Sequence, residues 1–121
     1  MWYCAHAIFY FQYEGQSSYR LHENVYLIQA DTADAAWQRA ETLAREREDP
    51  SEGGHVNLDG HKVRYCFAGI RKLIEAQVDT GEENSPLEPG VELTYSVMVV
   101  DSLSAVEQLA KGEETSVLYE E

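Results

Sequence analysis

A chain of 121 residues, 44% of them hydrophobic, has the length of one domain (1–121) and enough apolar side chains to bury about two thirds of its unfolded surface. Its formal charge is −13, from 22 acids against 9 bases, and the charge is segregated: residues 1–74 carry net −2, whereas 75–121 carry net −11 with Lys111 as the only base. Such a field excludes ordinary binding to phosphate backbones, which relies on Lys and Arg, and favours either a basic protein partner or plain solubility.

Residues Trp2 to Tyr13 are aromatic, β-branched or small, with no helix breaker, and predict a long first strand. Its alternate faces, Tyr3/Ala5/Ala7/Phe9/Phe11/Tyr13 and Trp2/Cys4/His6/Ile8/Tyr10, are both largely apolar, so both require cover. The stretch lacks the basic start and small-residue cleavage site of a signal peptide, and no run reaches the roughly 18 apolar residues of a membrane span. A cytoplasmic protein without membrane contact is the expectation. After a turn composition at Gly15 to Ser18, Glu23 to Ala30 predicts a second strand returning beside the first.

Asp31 or Thr32 offers an N-cap, Asp34 complements the helix start, and Ala33, Ala36, Trp37, Ala40, Leu43 and Ala44 recur at helical spacing, predicting a helix over Thr32 to Arg47. Glu48 to Gly54 ends it as a polar loop. Val56 to Leu58 and His61 to Ala76 flank Asp59-Gly60, a short hairpin signal, and Gly69 inside the long second arm predicts a bulge, a bend or the close approach of another backbone. Val78 to Gly90 reads as an acidic loop and Val91 to Val100 as a strand. Ser102 caps a short helix with a Leu103/Val106/Leu109/Ala110 stripe that Gly112 stops, and Thr115 to Tyr119 predicts a last strand. The expected fold is an α+β two-layer sandwich: a mostly antiparallel sheet of five to six strands, two helices on one face, order ββαβββαβ. Its second face then stays partly apolar, with Trp2 or Tyr3, Tyr10, Tyr26, Tyr65 and Tyr95 as candidates, and a homodimer through that face or an edge strand is the expected assembly.

WYCAHAIFYF at the start, ENVYLIQADTADAAWQRAE, FAGIRKLIEA, and ELTYSVMVVDS with VLYEE together resemble an uncharacterised bacterial family, the domain of unknown function numbered 4288. These stretches are strand patterns, a cap and a helix face. The resemblance therefore implies a small bacterial α+β domain and carries no catalytic residue onto this chain.

Motifs for chemistry are sparse. Cys4 and Cys66 have no paired spacing and read as small buried thiols, forming neither a disulfide framework nor a zinc knuckle. None of His6, His22, His55 and His61 pairs with another ligand at helical spacing, although Cys4 and His6 share a strand face that His61 or Cys66 would have to reach to complete a metal site. No Gly-x-Ser-x-Gly elbow, phosphate-cradling turn or EF-hand loop is present. No cofactor, metal or catalytic residue is expected.

The most distinctive feature is a run of cations, Lys62, Arg64, Arg71 and Lys72, within one strand of an acidic chain. Pairing across strands with Glu92, Asp101 or Glu120 would make them structural, at up to about 1 kcal/mol per pair. Alternatively Arg64, Arg71 and Lys72 form a small-anion pocket with Tyr10 or Tyr65 stacking a ring and His6 adding a donor, provided a bulge at Gly69 brings Arg64 and Arg71 onto one face. Two functions follow. The leading one is a non-enzymatic acidic interaction module, such as an inhibitor or immunity-type protein binding a basic partner, with DNA mimicry as a special case. The alternative is a small-anion or nucleotide-like ligand binder, and an enzyme of unfamiliar type ranks third.

Overall fold

A computed structural model describes residues 1–49, 56–58, 61–77 and 88–120. The expected loop residues 50–54, the Asp59-Gly60 turn and loop residues 78–87 lie outside these, as do the side chains of His55 and His61. In chain order the elements are β1 (Trp2–Gln12), β2 (Tyr19–Gln29), α1 (Ala33–Glu46), β3 (Val56–Leu58), β4 (His61–Ala76), β5 (Glu92–Val100), α2 (Leu103–Ala110) and β6 (Leu118–Glu120). Five strands form one open antiparallel sheet in the order β4-β1-β2-β5-β6, and the three-residue β3 pairs along the outer side of β4. No helix among the described residues is long and apolar enough to cross a membrane.

Both helices begin where a hydroxyl can accept from an otherwise unsatisfied amide. Thr32 Oγ1 accepts from Ala35 N at 3.1 Å and Ser102 Oγ from Ala105 N at 3.1 Å, each cap contributing about 1 kcal/mol. α2 ends on Gly112, whose φ of 79° lets its own N–H reach Leu109 O and that of Glu113 reach Gln108 O.

The two helices lie on opposite faces of the sheet, which corrects the expected arrangement of both on one face. α1 buries Ala36, Ala40 and Ala44 against Tyr3, Ala5, Ala7, Phe9, Tyr26, Ile28 and Ile70. α2 buries Val106, Leu109 and Ala110 against Ile8, Leu21, Met98 and Val100. Ile8 alternates with Ala7 and Phe9 along β1, so the two clusters are on opposite sides of one strand. The reason is the doubly apolar pattern of β1: a helix confined to one face would leave either Phe9 or Ile8, both fully buried, in water. Among the described residues neither face of the sheet is wholly uncovered, and Tyr3 and Tyr26 from the expected open face are core residues.

Two bulges tune β4 against β1. The register shifts between His6 and Ala7 and between Ile8 and Phe9, skipping Arg71 and Ala68 on β4. Each shift reverses facing, and two restore it. Gly69 is required beside the second bulge because a Cβ there would stand 3.3 Å from both Cβ and O of Ala110, the end of α2. Cys4 and Cys66 are free and half-buried rather than core thiols.

Candidate functional site

The site grows from three consecutive polar residues, His22, Glu23 and Asn24, in the middle of β2, a strand whose neighbours on both sides are paired. Strand alternation sends Glu23 to the α2 face, opposite Ile8, and sends His22 and Asn24 to the α1 face, opposite Phe9 and Ala7. Buried polar groups need partners, and each face supplies its own.

On the α2 face Glu23, 8% exposed, gathers two basic side chains on Oε1. His6 Nδ1 lies 2.7 Å away, and Arg71 donates from Nε at 3.0 Å and from Nη2. The bulge that skips Arg71 is what aims it along the sheet to a strand two places away. Burial lowers the His6 pKa, the Glu23 carboxylate raises it, and the Lys72 and Arg71 charges lower it again, leaving it below its ordinary value. His6 is therefore neutral at pH 7, and its Nδ1–H donates to Glu23. Glu23 and Arg71 line a cleft of about 700 Å3 closed on the other side by residues 112–117 after α2.

On the α1 face Asn24, 6% exposed, donates from Nδ2 to Tyr65 Oη at 3.2 Å and to Tyr26 Oη at 3.3 Å. Tyr65 Oη is also 3.1 Å from His22 Nδ1. Burial pushes the Tyr65 and Tyr26 pKa up, with their hydrogen bonds to Asn24 working against it, and burial followed by the Arg20 charge lowers that of His22. All three rings are neutral at pH 7. Since Asn24 already donates to Tyr65 Oη, the arrangement that satisfies each proton has the Tyr65 hydroxyl donating to His22 Nδ1, leaving the imidazole proton on Nε2. Phe9 stacks on Tyr65 at 4.9 Å with an interplanar angle of 3°, and Phe11 closes against it at 5.0 Å. His22, Asn24, Tyr26 and Tyr65, with Tyr95, Arg47 and Glu92, line a second cavity of about 480 Å3.

The six residues expected to form a pocket are distributed as follows. His6 and Arg71 meet at Glu23, and Lys72 lies opposite His6, exposed. Tyr10 lies under α2, edge-on to Tyr19, its pKa pushed up to about 12 by burial and then by Cys66 beside it. Arg64 does share the α2 face, paired opposite Gln12, but stands about 20 Å along the strand from Arg71 and lines a separate hollow with Lys62, Gln12, Tyr13 and Glu14. Tyr65 is on the opposite face. The expected cross-strand pairing also changes: Arg71 is taken by Glu23, and Glu120 pairs with Arg20 at 3.1 Å. Among the described residues no group of three or more His, Cys, Asp or Glu side chains is placed to hold a metal.

His22, Glu23 and Asn24 were not among the expected site residues. Their signal was present as a polar triplet inside an apolar run, but a second strand starting at Glu23 rather than Tyr19 leaves His22 in a loop and the triplet at a strand end.

Fold and site together define a small α+β domain built on one open antiparallel sheet, with a polar centre buried against each face. The chain belongs to the family described as domain of unknown function DUF4288, whose sequence profile matches residues 2–94, from β1 into β5. α2 and β6 lie beyond the matched residues. No curated protein and no solved structure matches the chain.

Proposed function

We propose that this chain is a non-enzymatic acidic interaction module, of the inhibitor or immunity type, that binds a basic partner protein in the cytoplasm. The outer edge of the sheet carries this reading. β6 pairs only with Val97 to Val99, so among the described residues Glu92 to Ser96 of β5 have no strand on their outer side, and all five are exposed. Val91, Leu93, Tyr95, Leu118 and Tyr119 present apolar surface there. Glu88 and Glu92 lead into β5, and Glu113 and Glu114 lead into β6, all exposed. An unpaired edge offers main-chain hydrogen bonds to an extended segment, the apolar side chains offer contact area, and the carboxylates select a basic sequence. The same edge is available to a second copy, giving a homodimer.

The small-anion alternative has less support. Its best cation, Arg71, is neutralised by Glu23, and its aromatic and second arginine stand elsewhere.

The test is capture from lysate on immobilised protein at low and high salt, alongside a Leu93→Ser/Tyr95→Ser variant. A basic protein retained at low salt, released at high salt and lost with the variant is expected, because exposed charges are screened beyond about 10 Å at 0.1 M. Retention by the variant overturns the edge assignment, and capture indifferent to salt removes the electrostatic basis.

A further inference from the structure

The cavity on the α1 face shares Tyr95 and Glu92 with that edge, but the rest of its lining is not used by that proposal, and it has the make-up of a small-molecule site: about 480 Å3, aromatic walls and a few convergent polar groups. Two of those groups are unspent. Asn24 uses both Nδ2 hydrogens on Tyr26 and Tyr65, while its Oδ1 accepts nothing among the described residues. Among the described residues no fully buried side-chain oxygen or nitrogen lacks a partner, so this oxygen is not fully buried, and its residue lines the cavity. Tyr26 accepts from Asn24 and keeps its own hydroxyl proton to donate. Asn24 Nδ2 lies 3.3 Å from Tyr26 Oη, so the acceptor of the amide and the donor of the phenol belong to neighbouring groups of the cavity lining.

We infer that this cavity binds a neutral planar ring with a lactam or ureide edge, a ring N–H beside a ring C=O, as in a uracil-type base. The ligand N–H donates to Asn24 Oδ1 and its carbonyl accepts from the Tyr26 hydroxyl. The imidazole Nε2–H of His22 is a further donor for a second ring carbonyl. Tyr95, 59% exposed and with its ring 5.8 Å from that of His22, is free to fold over the ligand as a stacking wall. The charged lining argues for a neutral ligand. Arg47 and Glu92 oppose each other in sign, and the Arg47 guanidinium already lies over the Tyr26 ring at 5.4 Å, which disfavours a second cation there.

Uridine, 3-methyluridine and cytidine are the probes, read by ligand-observed NMR and by chemical-shift changes on the intact chain. Uridine is expected to bind in the millimolar range or tighter. 3-Methyluridine, which lacks the ring N–H, loses on the order of tenfold in affinity, as does uridine against Tyr26→Phe. Tyr95→Ala, at an exposed position that leaves the core untouched, keeps the fold and weakens all uridine binding. No saturable uridine binding at millimolar concentration, equal binding of uridine and 3-methyluridine, a preference for cytidine, or full affinity in the folded Tyr95→Ala variant would each overturn the assignment.

Discussion

Replacing Glu23 tests how the α2 face is held together. Its side chain is 10% exposed, those of His6 and Arg71 are 17% and 25% exposed, and both bases converge on one carboxylate oxygen. Glu23→Ala leaves a mostly buried guanidinium without its counter-charge. Removing one partner of a fully buried pair costs about 3–5 kcal/mol, and partial hydration of Arg71 lowers that to about 2–3 kcal/mol. For a chain of this length 1 kcal/mol moves Tm by about 4 °C, so a fall of about 8–12 °C is expected. Glu23→Gln keeps an acceptor for Arg71 but loses the charge and should cost about 1 kcal/mol. Urea denaturation of Glu23→Ala, Arg71→Ala and the double variant gives the pair's coupling energy, expected at about 1.5–3 kcal/mol. A coupling below about 0.5 kcal/mol, within ordinary additivity, would refute the claim that this pair organises the face. Glu23→Gln should also lower the His6 pKa further, since the carboxylate is the main influence raising it; an NMR titration that moves the other way contradicts the geometry.

Three further outcomes are expected. His6 and His22 both have folded pKa values below 6.5, so the unfolded chain binds more protons just below that pH; stability should be full above 6.5 and fall as pH drops through it toward the folded values, and a His6→Gln/His22→Gln variant should flatten the profile. Tyr10 is raised to about 12, so the folded state binds the extra proton between 10 and 12, and stability should decline through that window less steeply in Tyr10→Phe, as read by thermal melts. Gly69→Ala, forced to within 3.3 Å of Ala110, should cost about 1–3 kcal/mol, and its packing defect should perturb NMR signals at the end of α2 rather than in α1.

Local structure was legible where it depends on local chemistry. The predicted helix over 32–47 and the observed Ala33–Glu46 share the Thr32 cap, and Ser102 and Gly112 bracket α2 as their side-chain and backbone preferences require. Gly69 was readable as a bulge with a close neighbour because only a missing Cβ allows one. The start of β2 was missed by four residues because Tyr19 to His22 mixes an arginine and a histidine into an apolar pair right after a turn. The site was harder to read because its contacts cross the sheet. Arg71 reaches Glu23 across 48 positions only through a bulge that reverses its facing, and Tyr65 joins Asn24 across 41 positions on the other face.

The face each helix covers follows from the residue from which it departs, which explains why a stripe of apolar residues alone could not place α2. β5 delivers the chain at Val100, which pairs with Tyr19 and packs on the Leu21 and Ile8 side, so the short loop at Asp101 and Ser102 leaves α2 on that side. α1 departs after Ala30, buried with Ile28 and Tyr3, and packs on the other. β1 and β2 thus become interior on both faces. A polar triplet at the centre of β2 then has little access to water on either side, and its burial is offset by partners brought from β1 and β4. The ion-paired half, Glu23 with His6 and Arg71, closes on itself and supports the sheet. The uncharged half, Asn24 with Tyr26, Tyr65 and His22, satisfies its donors while leaving an acceptor unspent on a residue that lines a cavity. That asymmetry points a small ligand to the α1 face, and the exposed edge of β5, which shares Glu92 and Tyr95 with that cavity, points a protein partner to the outer side of the same strand.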